Sequence, residues 1–215
     1  MSEHKYKNDK IFDDLSWDNI KDEVMLEIGK VLGSFKENDV NDFVQKIVKI
    51  KNTGGKICGY GAGRMGYGLR AFMMRLNHLG IPAYFIGDTF IPPMDENDLF
   101  IVTSGSGETK SVFNLLDIAK VKANMQTCAI TGNSESTMAK YADISIVFKP
   151  SNGGLNSEDN DQKINSIQPM TSLNEQSMFV FFDIVAVMLI KALGIKKEDE
   201  KKRKEKHKEE KKKKD

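Results

Sequence analysis

Between residues 56 and 148 the chain alternates in period: short apolar runs that read as strands are separated by segments with apolar residues every three or four positions. Strand-like runs occupy 56–60, 82–87, 98–103, 126–131 and 143–148, and the spacing predicts helices over 66–79, 110–122 and 135–141. Strands joined by helix-length crossovers run parallel, so this pattern predicts an α/β fold, an open parallel sheet with helices on both faces. Two helical segments come first, SWDNIKDEVMLEIGKVLGSF and DVNDFVQKIVKI, the second closed by Gly54-Gly55. The stretch TSLNEQSMFVFFDIVAVMLIKAL near the end predicts a helix apolar on nearly every side, which must be covered all round by the sheet and a second subunit. In an open parallel sheet, ligands collect at the carboxyl ends of the strands.

Two of those ends carry glycine turns. KICGYGAGRMG has Gly61, Gly63 and Gly66 in a G-x-G-x-x-G spacing between a strand and a helix, which presents backbone N–H groups and a positive helix end to an anion. Asp88, after the next strand, stands where a dinucleotide site needs its carboxylate. The second turn, SGSGETKS, argues against a dinucleotide. It carries Ser104, Ser106, Thr109 and Ser111 around Gly105 and Gly107, and such hydroxyls and N–H groups suit a small phosphorylated metabolite. A third polar turn, TGNSES, brings Thr131, Asn133 and Ser134 to the same edge. Ser136 and Thr109 also fit as helix caps, and Glu108 fits the first turn of the helix after Gly107.

Composition excludes several classes. Residues 196–215 hold 12 Lys/Arg against 7 Asp/Glu, leaving 20 against 24 for the rest of the 215-residue chain, so the body is mildly acidic and has no nucleic-acid footprint. Residues 1–10 lack the apolar segment of a secretory signal and read as a flexible arm; residues 11–195 read as a single domain and 196–215 as a solvated Lys/Glu-rich tail. The longest apolar run, 178–190, contains Asp183 and is short for a bilayer, so no membrane partner is expected. Cys58 and Cys128 lie in strand-like runs and read as small core residues of a reduced, cytoplasmic protein.

Taken together, GAGRMG, MRLNHLG, SGSGETKSV, TGNSESTMAKYAD and SIQPMTSLNEQ resemble the sugar isomerase (SIS) family over about residues 30–195, and within it the 6-phospho-3-hexuloisomerases. The resemblance implies a five-stranded, flavodoxin-like three-layer sandwich, a homodimer or homotetramer, and interconversion of 3-hexulose 6-phosphate with fructose 6-phosphate in the ribulose monophosphate pathway of formaldehyde fixation. It further implies that the turn with Ser104, Gly105, Ser106 and Thr109 holds the phosphate. Gly63, Thr131 and Ser134 are further substrate-binding candidates at the strand ends, and Arg64, inside the first glycine turn, is placed to hold the phosphate or an enediolate oxygen, or else forms a surface salt bridge. Moving a carbonyl from C3 to C2 requires a base at C2 and donors for the enediol oxygens, and needs neither metal nor redox cofactor. Glu175 matches the family's glutamate and is the expected base, and His78 is the expected acid or ring-opening group. Ser172-x-x-Glu175 is equally a capping box, and a histidine on a helix is commonly structural. Met65 stands where the family's first turn has serine, and Thr171 and Asn174 stand where glycine and phenylalanine are usual. Isomerisation of another sugar phosphate, a sugar-phosphate sensor and a dehydrogenase are the alternatives.

Overall fold

The computed structural model describes residues 16–151 and 163–196. The expected arm, most of the tail and the centre of the polar 149–166 loop lie outside the described residues. The chain order is α1 (Trp17–Leu32), α2 (Glu37–Asn52), β1 (Ile57–Gly61), α3 (Gly63–His78), β2 (Ala83–Phe85), β3 (Leu99–Ser104), α4 (Lys110–Asp117), β4 (Gln126–Thr131), α5 (Thr137–Tyr141), β5 (Ile144–Val147) and α6 (Ser172–Ala192). All five strands are parallel, in the order β2-β1-β3-β4-β5.

Strand alternation sorts the core into two layers. Ile57, Leu99, Ile101, Cys128, Ile130 and Ile146 pack with α1, α2, α3 and α6. Their neighbours Cys58, Phe100, Val102 and Ala129 pack with Val112 and Leu116 of α4 and Met138 of α5. Every residue of the central strand β3 is buried, as a parallel strand covered on both faces requires.

Several boundaries differ from the sequence expectation. The predicted helix over 110–122 is α-helical only to Asp117, and Ile118–Lys122 forms a π-helical turn closed by Ala123 N–H on the Ile118 carbonyl. Helix α3 begins at Gly63, three residues earlier than expected, so the glycine turn is itself the first helical turn.

Helix α6 is 21 residues long, enough by length and composition to cross a bilayer, which removes the length argument drawn from the 178–190 run. Its packing answers the question instead: Leu173, Met178, Phe181, Phe182, Val185 and Leu189 enter the core. Phe181 stacks on Phe35 and Phe182 on Phe72, with ring centroids 4.4 and 4.7 Å apart. The other face of α6 leaves Phe179, Ile184 and Val187 exposed beside Tyr67 and Met74 of α3. Within one chain, then, the helix is covered on one side only.

Candidate active site

In this strand order the direction of winding reverses between β1 and β3, and the crevice at their carboxyl ends is where doubly wound sheets bind ligands. Both glycine turns open there. In the first, Gly66 is required by close approach: a Cβ at that position would meet the carbonyl oxygen of Gly61. This lets α3 start against the end of β1 and leaves Arg64 on the exposed side of the turn.

The second turn is held by its own hydroxyls. Ser104 Oγ accepts from Gly107 N–H at 3.1 Å and lies 2.9 Å from Thr109 Oγ1, while Ser106 Oγ accepts from Glu108 N–H at 3.2 Å. Gly107 has φ 69, and a Cβ there would strike Ser136. Thr109 is the N-cap of α4 but makes no side-chain capping bond, so the first N–H groups of α4 keep their capacity for an anion. Helices α3 and α6 likewise begin without a side-chain cap. Ala62, Thr109 and Thr171 thus start three helices whose positive ends are unblocked by their own caps.

The third turn supports the second. Gly132 N–H donates to the Gly105 carbonyl at 3.0 Å, and the Thr131 hydroxyl accepts from Asn133 N–H at 3.3 Å. Thr131 is fully buried behind Gly105, whereas Ser134 is exposed. Ser136 caps α5, as its sequence position suggests. Glu108 departs from its expected place in the first turn of α4. It precedes the N-cap, and its carboxylate accepts from Thr137 N–H at 2.7 Å and Thr137 Oγ1 at 2.8 Å. The Thr137 backbone and hydroxyl hydrogen bonds hold its carboxyl below the usual range.

The start of α6 closes the crevice. Arg64 Nη1 donates to Ser172 Oγ at 2.8 Å and lies 3.0 Å from Glu175 Oε2. Thr171 Oγ1 donates to the other carboxylate oxygen of Glu175 at 3.2 Å. The capping-box expectation therefore fails: Thr171 is the N-cap, and the Glu175 carboxylate faces Arg64 and a threonine hydroxyl rather than backbone N–H groups. Glu175 keeps 15% of its side-chain exposure and Arg64 keeps 59%, so the pair sits at the mouth, with the carboxylate inside and the guanidinium outside. Asn174, buried, accepts from Ser151 N–H at 2.8 Å and its amide nitrogen comes beside Gly105.

The structure thus brings together Gly63, Arg64, Ser104, Gly105, Ser106, Thr109 and Glu175, with Thr131 as a buttress and Ser134 on the rim. It does not bring in His78. That residue ends α3, about 22 Å of helix from Gly63. Asp88 closes the turn after β2, accepting from Arg70 at 2.7 Å and from Phe85 N–H at 3.1 Å. Ser172, read from the sequence only as a helix cap, and Asn174, read only as a departure from the family pattern, join the site through partners more than 20 residues away in the chain. Among the described residues, no cluster of three His, Cys, Asp or Glu side chains is arranged to hold a metal ion.

The SIS domain family matches this chain over residues 50–177, which spans both glycine turns and the start of α6. The chain belongs to the SIS domain family. A 3-hexulose-6-phosphate isomerase of Bacillus subtilis is 39% identical over 138 residues, covering 64% of this chain and 72% of the relative. One from Methanocaldococcus jannaschii is 32% identical over 164 residues, covering 76% and 81%. Among solved structures, a hypothetical protein from Methanococcus jannaschii, whose structure infers a molecular function of 3-hexulose-6-phosphate isomerase, superposes with a TM-score of 0.67 at 30% identity, covering 85% of this chain and 96% of that one.

Proposed function

We propose that this SIS protein is a phosphosugar isomerase that interconverts 3-hexulose 6-phosphate and fructose 6-phosphate by proton transfer through an enediol, as the names of its relatives indicate for them. The observation that carries the reading is the pair Arg64 and Glu175, 3.0 Å apart at the mouth of a crevice whose floor is the hydroxyl-rich turn 104–109. The phosphate sits at that turn, where N–H groups of Gly105, Ser106 and the first turn of α4, with the Ser104, Ser106 and Thr109 hydroxyls, supply donors. Glu175 takes the proton from C2 of the 3-ketose and returns it to C3 of the enediolate, while the C2 hydroxyl proton passes to O3, so the carbonyl moves to C2 and the carboxylate ends as it began. An enediolate oxygen beside Glu175 comes within reach of the Arg64 guanidinium, whose charge favours the oxyanion over the neutral ketone. Thr171 and Ser172 fix the carboxylate and the guanidinium respectively, which limits the motion needed to reach the transition state.

The protein acts as a homo-oligomer in the cytoplasm, within the ribulose monophosphate pathway. The apolar residues left exposed on α3 and α6, Tyr67, Met74, Phe179, Ile184 and Val187, support the oligomer. His78 follows Tyr67 and Met74 by eleven and four positions and shares their face of α3, so its participation as an acid depends on a neighbouring copy.

The test is the conversion of 3-hexulose 6-phosphate to fructose 6-phosphate by purified protein in the presence of a chelator, beside a panel of other ketose and aldose phosphates. Turnover of the 3-hexulose phosphate above every other sugar supports the assignment. Preference for another member of the panel moves the substrate, and binding without turnover of any of them replaces the enzyme with a sensor.

A further inference from the structure

Glu27 lies in α1, away from the glycine turns, and its side chain is buried with 3% exposure. A carboxylate in such a place costs several kcal/mol unless both oxygens are bonded. Here they are, by three neutral donors from one short segment about 140 residues later. Oε1 accepts from Ile167 N–H at 2.7 Å, and Oε2 accepts from Ser166 Oγ at 2.8 Å and from Gln168 Nε2 at 2.8 Å. Ser166 Oγ in turn accepts from Gln168 N–H at 3.0 Å. Charged acceptors give shorter and stronger hydrogen bonds than neutral ones, so this is a clamp on Ser166–Gln168.

What the clamp holds is the approach to α6. Pro169 accepts from Ser172 N–H at 3.1 Å, Met170 is exposed with a left-handed backbone at φ 55, and Thr171 follows as the N-cap. A non-glycine residue in that conformation is strained, and its surroundings must hold it in place. The strained residue therefore lies between the Glu27 clamp and the side chains of Ser172 and Glu175, which meet Arg64, and of Thr171, which donates to Glu175. Released at Gln168, the segment relaxes at Met170 and the start of α6 moves off Arg64.

The geometry points to Glu27 as a positioning residue: through Ser166, Ile167 and Gln168 it sets the register of Glu175 against Arg64. This rests on the isomerase reading for its effect on turnover, but not for its effect on the segment itself. A carboxamide keeps only part of this: its oxygen still accepts from Ile167 N–H, but its NH2 faces the Ser166 hydroxyl and the Gln168 amide, both of which donate to the carboxylate. An alanine has neither group.

The experiment compares wild type with Glu27→Gln, Glu27→Ala and Gln168→Leu, reading amide hydrogen exchange without substrate and steady-state kinetics on 3-hexulose 6-phosphate. Glu27→Ala and Gln168→Leu are expected to accelerate exchange in 163–176 while strand amides of β1, β3 and β4 keep their protection. Both are expected to lower kcat about 100-fold with little change in KM, because the phosphate turn is untouched. Glu27→Gln, which keeps the Ile167 bond, is expected to fall between wild type and Glu27→Ala in both. Unchanged exchange in 163–176 in Glu27→Ala and Gln168→Leu overturns the clamp, and a normal kcat despite faster exchange overturns the positioning role. If Glu27→Ala does not fold, Gln168→Leu decides, since it removes one donor and leaves α1 intact. A wild type that turns over no 3-hexulose phosphate defeats the isomerase reading, and the clamp is then judged on exchange.

Discussion

Gly66 and Gly63 belong to one turn but are glycine for different reasons, and alanine at each position separates them. A Cβ on Gly66 would fall on the Gly61 carbonyl oxygen and lie 2.6 Å from its carbon, against an ordinary contact of about 3.5 Å. Both partners are backbone. Gly61 is fixed by its pairing with Thr103, and Gly66 by the N–H it donates to Ala62, so neither can yield alone. Relief requires the start of α3 to move by about 1 Å, which carries Arg64 with it. The overpacking costs about 3 kcal/mol. At about 2–4 °C per kcal/mol for a chain of this size, Gly66→Ala should melt about 6–12 °C below wild type. Gly63 has φ 57, and a Cβ there would meet nothing within 4 Å, so Gly63→Ala incurs only left-handed strain of about 1–2 kcal/mol, partly offset by a less free unfolded chain. Calorimetry on the three proteins, with urea midpoints as a check, measures the difference. If Gly66→Ala melts at or above Gly63→Ala, the close approach of α3 to β1 is not what requires glycine.

Other consequences follow from buried and paired groups. Asp98, fully buried, accepts from Lys56 N–H at 2.7 Å and Asp95 N–H at 2.9 Å and lies 3.0 Å from Lys56 Nζ, so Asp98→Ala should lower stability by about 3 kcal/mol in urea denaturation. For Asp143, burial pushes the carboxyl up, but hydrogen bonds from Lys120 and from the Thr127 side chain and backbone outweigh it and leave the group below its ordinary value. A depressed carboxyl stabilises the fold above its unfolded pKa and stops doing so as pH falls through the folded one. The destabilisation by Asp143→Asn should therefore be full at neutral pH and shrink below about pH 4, read from urea midpoints across pH. Burial pushes the Cys58 thiol up to about 11 and the fully buried Cys128 thiol higher still, so iodoacetamide at mildly alkaline pH should label neither until the protein unfolds.

The sheet was legible because its signals are local. Each strand's apolar run and each crossover helix's spacing are contained in fewer than twenty consecutive residues, and the glycine turns mark the strand ends. The hydroxyl-rich turn was legible for the same reason: Ser104 to Thr109 organise one another within six residues. Partners across the fold were not. Glu175 read equally as a cap or a base because its environment is set by Arg64, on another helix, and Glu108 turned to α5 rather than to its own helix. Glu27 looked like any polar residue of an amphipathic helix, since nothing near it in sequence foretells donors at 166–168. The distance of His78 from the turn was readable in principle, because a helix of 16 residues carries its ends apart whatever it packs against. The apolar character of α6 was legible, but which half of it stays exposed depends on where α1 and α3 cover it.

The central claim is that the Glu175 carboxylate moves the proton. Its most direct test is the initial rate of fructose 6-phosphate formation from 3-hexulose 6-phosphate, wild type against Glu175→Gln, with substrate affinity measured in parallel. Glutamine keeps the size and the bond from Thr171 but is no base, so kcat should fall by about 10²–10⁴-fold while affinity stays close to wild type. A Glu175→Gln protein that turns over at the wild-type rate would contradict the assignment of Glu175 as the base.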